Sequence, residues 1–436
     1  MKKLLLSLAA ICCTLATNAT DLWTGESAVT WKTTLYLDGS KFTDAQVGDK
    51  LTLNFTVPGE SGDVIELKSD GKRLTGTCFH SFGTADTSYE VYVTEDMLAK
   101  LQTHGLDVCG NLFTATKVSI DNVGFNMPEG AIWGGYFWCD NWKTMELWKE
   151  AFDNYSNRRY LIINISEESF DYNYDLNIIS TWEKGAFTNA DNTEYGKHQI
   201  ILDTQKLSGG LMDAISGNDR VMFQGNCKLE DHGFNITSIV LADDISVSID
   251  EDGYATLFHS KKNLLVPEGV SAWTYGQDGD KITATESYKS GDVIPAGTAV
   301  VLYSEIPYTY TFQLKANGGE QATGSLLHGT DKTQQVTADG TPYILGLGSK
   351  GIAFYAAAPS YGHTFTNGAH KAYLELSSTA QVRQFISLKG ETGQTTGISA
   401  AEAGGNRTQH IFDLSGRRAN NTHKGLYIVN GKKTIM

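Results

Sequence analysis

Hydrophobic and polar residues alternate along most of this chain, in short runs separated by Gly, Asn, Asp and Pro. In Lys50-Leu51-Thr52-Leu53-Asn54-Phe55 every second side chain is apolar, the period of a strand with one buried face. Helical periodicity is nearly absent. YEVYVTEDMLAKL (89–101) carries one short amphipathic turn of helix, and alternating strands resume in CGNLFTATKVSI (109–120). With 45 glycines, 7 prolines and abundant Thr, Tyr and Val, the pattern predicts an all-β fold.

The pattern then repeats. Placing LWTGESAVTWKTTLYLDGSKFTDAQVGDKLTLNFTV (22–57) over IWGGYFWCDNWKTMELWKEAFDNYSNRRYLIINIS (132–166) puts Trp23 on Trp133, Phe42 on Phe152, and Leu51, Leu53 and Phe55 on Leu161, Ile163 and Ile165, all 110 residues apart. Trp31-Lys32-Thr33 recurs one residue out of step as Trp142-Lys143-Thr144. Two tandem modules follow, 20–127 and 128–244, each the size of a β-sandwich domain. Residues 245–390 read as a third β-rich domain, 391–408 as a Gly/Thr/Ala-rich linker, and 409–436 as a tail of two short strands about a turn.

The opening residues predict a secretory signal peptide over 1–19. Lys2 and Lys3 precede the apolar run Leu4 to Ala16, and Thr17-Asn18-Ala19 is a small-residue cleavage site. Cys12 and Cys13 lie inside it, and neither follows the small residue of a lipoprotein site. No other run reaches the ~18 apolar residues of a membrane span. A secreted or cell-surface protein is expected. Cys78, Cys109, Cys139 and Cys227 remain, none in C-x-x-C spacing, so neither a zinc site nor a thioredoxin motif is indicated, and any disulfide pairing stays open.

Net charge is −15, with no Lys/Arg cluster to form the basic face that nucleic acid requires. A neutral partner suits this composition better. Seven of the 8 tryptophans fall within the two repeats.

The repeats resemble tandem β-sandwich modules that accompany cellulases and hemicellulases in gut- and rumen-type anaerobic bacteria. The resemblance rests on Leu22-Trp23-Thr24-Gly25, Trp31, Phe42 and Gly48-Asp49-Lys50-Leu51, and in the second copy on Ile132-Trp133-Gly134-Gly135, Trp142 and Ala151-Phe152. The second copy departs from it with Asn157-Arg158 in place of Gly-Asp. Residues 245–390 are similar to a β-rich domain of exported proteins from the same bacteria, through Gly253-Tyr254-Ala255-Thr256, Ile294-Pro295-Ala296-Gly297-Thr298 and Lys371-Ala372-Tyr373-Leu374. The tail resembles the end of a type IX secretion sorting domain, which implies a cell-surface secretion machinery as a further partner. What the resemblance implies is carbohydrate binding without catalysis, on plant cell-wall polysaccharide.

An exposed indole can cover the apolar face of a sugar ring at small entropic cost, while neighbouring polar groups hold the hydroxyls. Trp23, Trp133, Trp31 and Trp142 are either such platforms or core anchors that the fold keeps in both copies. Trp182 falls where the first copy has the turn Ser69-Asp70-Gly71-Lys72-Arg73, and Trp148 where it has Asp38. A core site would not accept Asp or a Gly-Lys turn in one copy and Trp in the other. Both are therefore expected to be exposed, with Trp182 the strongest stacking candidate. Trp138 is a further candidate, with Asp140, Asn141 and Glu183 as polar partners. The second module is expected to bind better, and Trp31, His80 and Phe82 to form a weaker site in the first.

Two rivals stand beside this reading. A glycosidase or polysaccharide lyase would need two facing carboxylates, for a glycosidase about 5 to 9.5 Å apart. Glu146, Glu150, Glu167 and Glu168 are available, yet no motif frames them, and Glu146 with Glu150 fits a solvated helical face. A cell-surface adhesin or structural protein would present a flat apolar patch instead. No cofactor or metal is expected. Structural calcium would choose Asp243-Asp244 or Asp250-Glu251-Asp252, for which ordinary turn chemistry suffices.

Overall fold

A computed structural model describes residues 19–80, 82–139, 144–155, 158–166, 176–179, 193–206, 220–225, 234–278, 281–348, 351–357, 364–377, 385–388, 411–412, 426–429 and 432–435. The predicted leader up to residue 18 and the predicted linker lie outside them.

The fold is all-β, built of separate antiparallel sheets. Residues 20–121 form strands β1 Thr20–Val29, β2 Leu35–Leu37, β3 Lys50–Thr56, β4 Val64–Ser69, β5 Lys72–His80, β6 Ser88–Tyr92, β7 Leu106–Asn111 and β8 Phe113–Asp121, with helix α1 Glu95–His104. One sheet has the order β1-β8-β3-β6 and the other β2-β7-β4-β5. The alternation of β3 sends Leu51, Leu53 and Phe55 into the core, each about 1% exposed. Full burial of such a side chain is worth about 1.5–3 kcal/mol. Thr94 caps α1 by accepting from the Met97 N–H at 3.3 Å, and Glu95 and Asp96 suit its first turn.

Residues 131–242 form β9 Ala131–Cys139, β10 Thr144–Trp148, β11 Tyr160–Ile165, β12 Leu176–Ile179, β13 Thr193–Tyr195, β14 Gln199–Asp203, β15 Arg220–Gly225 and β16 Phe234–Ala242. Their sheets run β13-β14-β11-β16-β9 and β10-β15-β12. The order β9-β16-β11-β14 stands beside β1-β8-β3-β6, and β10-β15-β12 beside β2-β7-β4.

Strand β11 departs from simple alternation. Leu161, Ile163 and Ile165 point into the core between its own sheets, while Tyr160 and Ile162 are buried on the opposite face. That outer face packs on residues 245–316, against Val247, Leu257, Val300 and Phe312. In β3 the corresponding Lys50, Thr52 and Asn54 remain partly exposed.

The region after the second module holds β17 Ile245–Ile249, β18 Tyr254–Leu257, β19 Asn263–Leu265, β20 Ser271–Asp278, β21 Lys281–Tyr288, β22 Val293–Ile294, β23 Val300–Tyr303 and β24 Tyr308–Lys315. These pair as β17-β24-β19-β22 and β18-β23-β20-β21. Then come β25 Leu327–Thr330, β26 Gln334–Thr337, β27 Thr341–Gly348, β28 Gly351–Ala356, β29 Thr364–Asn367, β30 Lys371–Leu376 and β31 Phe385–Ser387, in a five-stranded sheet and the pair β26-β29. Tyr275, Val301, Leu327, Tyr343, Phe354 and Leu374 share one core across both sets. The tail carries three strands rather than two, Ile411–Phe412, Leu426–Val429 and Lys432–Ile435. Among the described residues no helix is long and apolar enough to cross a membrane.

Candidate functional site

The opening Trp-x-Gly of each module has a structural cause. In the β1–β8 pair the register shifts between Thr24 and Ser27, and in β9–β16 between Gly134 and Phe137, at corresponding places. The bulge carries Gly25 in one copy and Gly135 in the other, and the tryptophan two residues earlier folds back over it. A side chain on Gly25 would begin 3.0 Å from Trp23 Cζ2, and one on Gly135 3.1 Å from Trp133 Cζ2. Both indoles are half-buried and pack on their module's core. Their placement fits core anchoring better than a free stacking face.

Trp31 is different. It sits with Lys32 on a tight turn closed by reciprocal backbone hydrogen bonds between Thr30 and Thr33, both 3.1 Å. The two hydroxyls meet at 2.8 Å, and Thr33 Oγ1 also donates to the Ala28 carbonyl at 3.0 Å. The indole is 64% exposed on this fixed support.

Trp148 is not exposed as expected. It is half-buried, and its Nε1 is enclosed without a hydrogen-bond partner. The guanidinium of Arg73, on β5 of the first module, lies 4.1 Å from the ring centroid, and that of Arg220, on β15, lies 5.8 Å away. Arg73 also pairs with Glu66 at 2.8 Å and with Glu150 at 3.3 Å. In the first copy Asp38 caps a helical turn by accepting from Ser40 N. Comparing copies therefore misjudged this position: in the second copy it meets the preceding module, and in the first it meets water.

On the other pair of sheets, where β6 meets β9, an aromatic stripe forms. Tyr92 on β6, Phe125 and Tyr136 on β9 make a cluster, with Tyr92–Phe125 centroids at 4.5 Å and Tyr136 edge-on to both at 6.1 and 5.8 Å. Tyr136 lies within the β9 bulge and is 68% exposed, and Trp138, two residues on, is 41% exposed. Alternation puts both on one face of β9. Polar groups border the stripe. Lys50 pairs in register with Tyr92 and with Asp121, and its ammonium bonds Glu90 at 2.9 Å. The Glu90 hydrogen bond raises the Lys50 pKa, and burial raises that of Tyr92. Asp121 Oδ1 is buried without a hydrogen-bond partner. The arrangement joins flat apolar faces to a charged and hydrogen-bonding edge. Nothing in the sequence pattern singles out Tyr92 or Phe125; Tyr136, an aromatic neighbour of the candidate Trp138, carries one usable signal, standing where the first copy has Glu26.

Other sequence candidates fare variously. Asp140, Asn141, Trp142, Trp182 and Glu183 lie outside the described residues. The first-copy counterpart of Trp182 is a tight turn with Asp70 at φ 50° and Gly71 at φ 72°. Phe82 is not a surface group: it is 1% exposed and packs edge-on to Phe55 at 5.1 Å, because the core there is aromatic. Glu146 and Glu150 do not share a helical face either. Glu146 lies in β10 and bonds Arg220 at 2.7 Å, whereas Glu150 follows the strand and bonds Arg73. Asp243 and Asp244 are taken up by Arg158, Arg159 and Tyr160. Cys109 carries a free thiol whose pKa burial raises. Side chains of metal-ligating type meet at His259, Asp331 and His370, on elements outside the aromatic stripe. Burial, with His370 and Lys262 adding to it, pushes the His259 imidazole down to about 3.

No family model matches this chain, and no curated protein matches it. Among solved structures it is similar to SGBP-B of the Bacteroides ovatus mixed-linkage glucan utilization locus, solved in complex with a mixed-linkage heptasaccharide. Identity is 19% over 23% of this chain and 30% of that one, with a TM-score of 0.19. So short and remote a likeness bears on neither the ligand nor the overall fold of this chain.

Proposed function

We propose that this is an exported, non-catalytic protein that binds plant-type polysaccharide of the β-glucan, xylan or mannan class through tandem β-sandwich modules. The observation that carries the reading is Tyr136, exposed and held edge-on by Tyr92 and Phe125, with Trp138 on the same strand face. A sugar ring laid on such a face covers apolar area without first having to order the side chain beneath it. Lys50 and Glu90, both with part of their side chains open to solvent, are available to meet hydroxyls at the edge. Trp31, on its locked turn in the first module, is a second stacking point, and Trp182, Trp142, Asp140, Asn141 and Glu183 extend the proposal further along the second module. Weak sites in series on one chain gain avidity on a polymer. The matching strand orders and the bulges at corresponding positions support reading the modules as tandem copies.

Affinity electrophoresis in gels containing cellulose derivatives, xylan, mannan, xyloglucan or mixed-linkage β-glucan tests the proposal. Retardation by at least one of them is expected. Migration unchanged in every gel rules out plant polysaccharide as the partner.

A further inference from the structure

Three loops that are far apart in sequence converge at the seam between residues 245–316 and the sheet that follows. His259 follows β18, Asp331 follows β25, and His370 precedes β30. One ligand atom from each lies within 4.8 Å of the other two. The two imidazoles stack with centroids 3.9 Å apart. His259 is 5% exposed, and its Nε2 is buried with no hydrogen-bond partner. His370 Nδ1 is likewise buried and unpartnered, with Asp331 Oδ1 3.7 Å away, beyond hydrogen-bond reach. Two enclosed ring nitrogens without partners, on residues whose ligand atoms gather beside one carboxylate, call for a bridging group.

The surrounding backbone is fixed. Asp331 Oδ1 accepts from Ser260 N at 3.0 Å, and Oδ2 bonds the Ser260 hydroxyl. His370 N donates to Thr330 O at 2.8 Å, and Phe258 N to His370 O at 3.1 Å. His370 has φ 55°, a left-handed conformation that His adopts more readily than most side chains. It turns the hairpin between β29 and β30 at this point.

We propose that His259, Asp331 and His370 form a binding site for a divalent transition-metal ion of the zinc class. Two imidazoles and a carboxylate suit zinc and its neighbours, whereas calcium and magnesium take oxygen ligands. Bonds of ~2.1 Å require ligand atoms roughly 3.4 Å apart, so the two stacked imidazoles must rotate out of their stack to bring both ring planes onto one ion. Ser260 acts as the outer partner that orients the carboxylate. His259 and His370 also line a cavity of about 620 Å³ together with Thr256, Asp243, Lys262 and Lys371. A fourth coordination position would face that cavity. Lys262 opposes a cation there, and the nearby Asp331, Glu129 and Asp243 offset it.

The test is calorimetric titration of untagged, chelator-treated full-length protein with Zn²⁺, with Ca²⁺ as control. One Zn²⁺ per chain is expected, no saturable Ca²⁺ uptake, and affinity lower by roughly 100-fold or more in His370→Asn and Asp331→Asn, each checked for folding by circular dichroism. Asn is chosen at 370 because it tolerates the left-handed backbone. Absence of saturable Zn²⁺ binding, or equal binding by the folded variants, overturns the site. X-ray absorption on the zinc-loaded wild-type protein decides independently of the variants: two imidazole ligands without sulfur are expected, and sulfur or all-oxygen ligation contradicts the assignment.

Discussion

The guanidinium of Arg73 stands 4.1 Å over the indole ring of Trp148, one from each module. With Glu66 and Glu150 on the same arginine and Lys72 3.6 Å from Asp153, this contact joins β5 to the segment after β10. Replacing Trp148 by Ala removes a half-buried indole and a cation–π contact, so a loss of about 2 kcal/mol is expected. Chemical denaturation would show it as a lower midpoint. Binding to any retarding polysaccharide should not change, because Trp148 serves the junction.

The bulge glycines give a second prediction. Gly25→Ala places a methyl 3.0 Å from the Trp23 indole, and Gly135→Ala combines a 3.1 Å contact with φ 155°. Each variant should be destabilised by about 1–3 kcal/mol, Gly135→Ala the more, with a shift in tryptophan emission as the indole is displaced. Unchanged emission and stability would mean that the Trp-x-Gly motif does not seat the indole.

Acid should weaken the first module through Glu66. Burial raises its pKa, but the Lys68 and Arg73 hydrogen bonds outweigh burial and the net shift is downward from 4.5. A carboxylate with a lowered folded pKa adds stability above its unfolded value and loses it as pH falls through the folded one. Stability should therefore decline below about pH 4.5, and Glu66→Gln should be weaker at pH 7 with a flatter profile in that acid window. Thermal melts across pH 3 to 7 would measure it.

Much of the fold was legible, and the failures have physical causes. Alternation in Lys50–Phe55 gives β3 directly, and the spacing of 110 places the bulges of both copies in correspondence. The unbroken apolar run Tyr160-Leu161-Ile162-Ile163 carried a further signal, burial on both faces, that reading it as an alternating strand missed. Trp148 was misjudged because comparing two copies asks only whether a position faces core or water, and a junction is neither. His259, Asp331 and His370 lie too far apart in sequence for any spacing motif, and only the sheet topology collects them. The β11 case can be checked by exchange between copies. Ile162→Thr should cost about 1–2 kcal/mol, while Thr52→Ile should stay within about 0.5 kcal/mol in denaturant melts.

We propose sugar binding along the stripe from Tyr92 to Trp138. Calorimetric titration of wild type, Tyr136→Ala and Trp148→Ala with the polysaccharide that retards the protein tests it most directly. Tyr136→Ala should weaken binding by roughly 10-fold or more, a loss of about 1.4 kcal/mol or greater, while Trp148→Ala leaves it unchanged. Full affinity in Tyr136→Ala would contradict this and move the site to Trp31 or to Trp142 and Trp182 elsewhere in the second module.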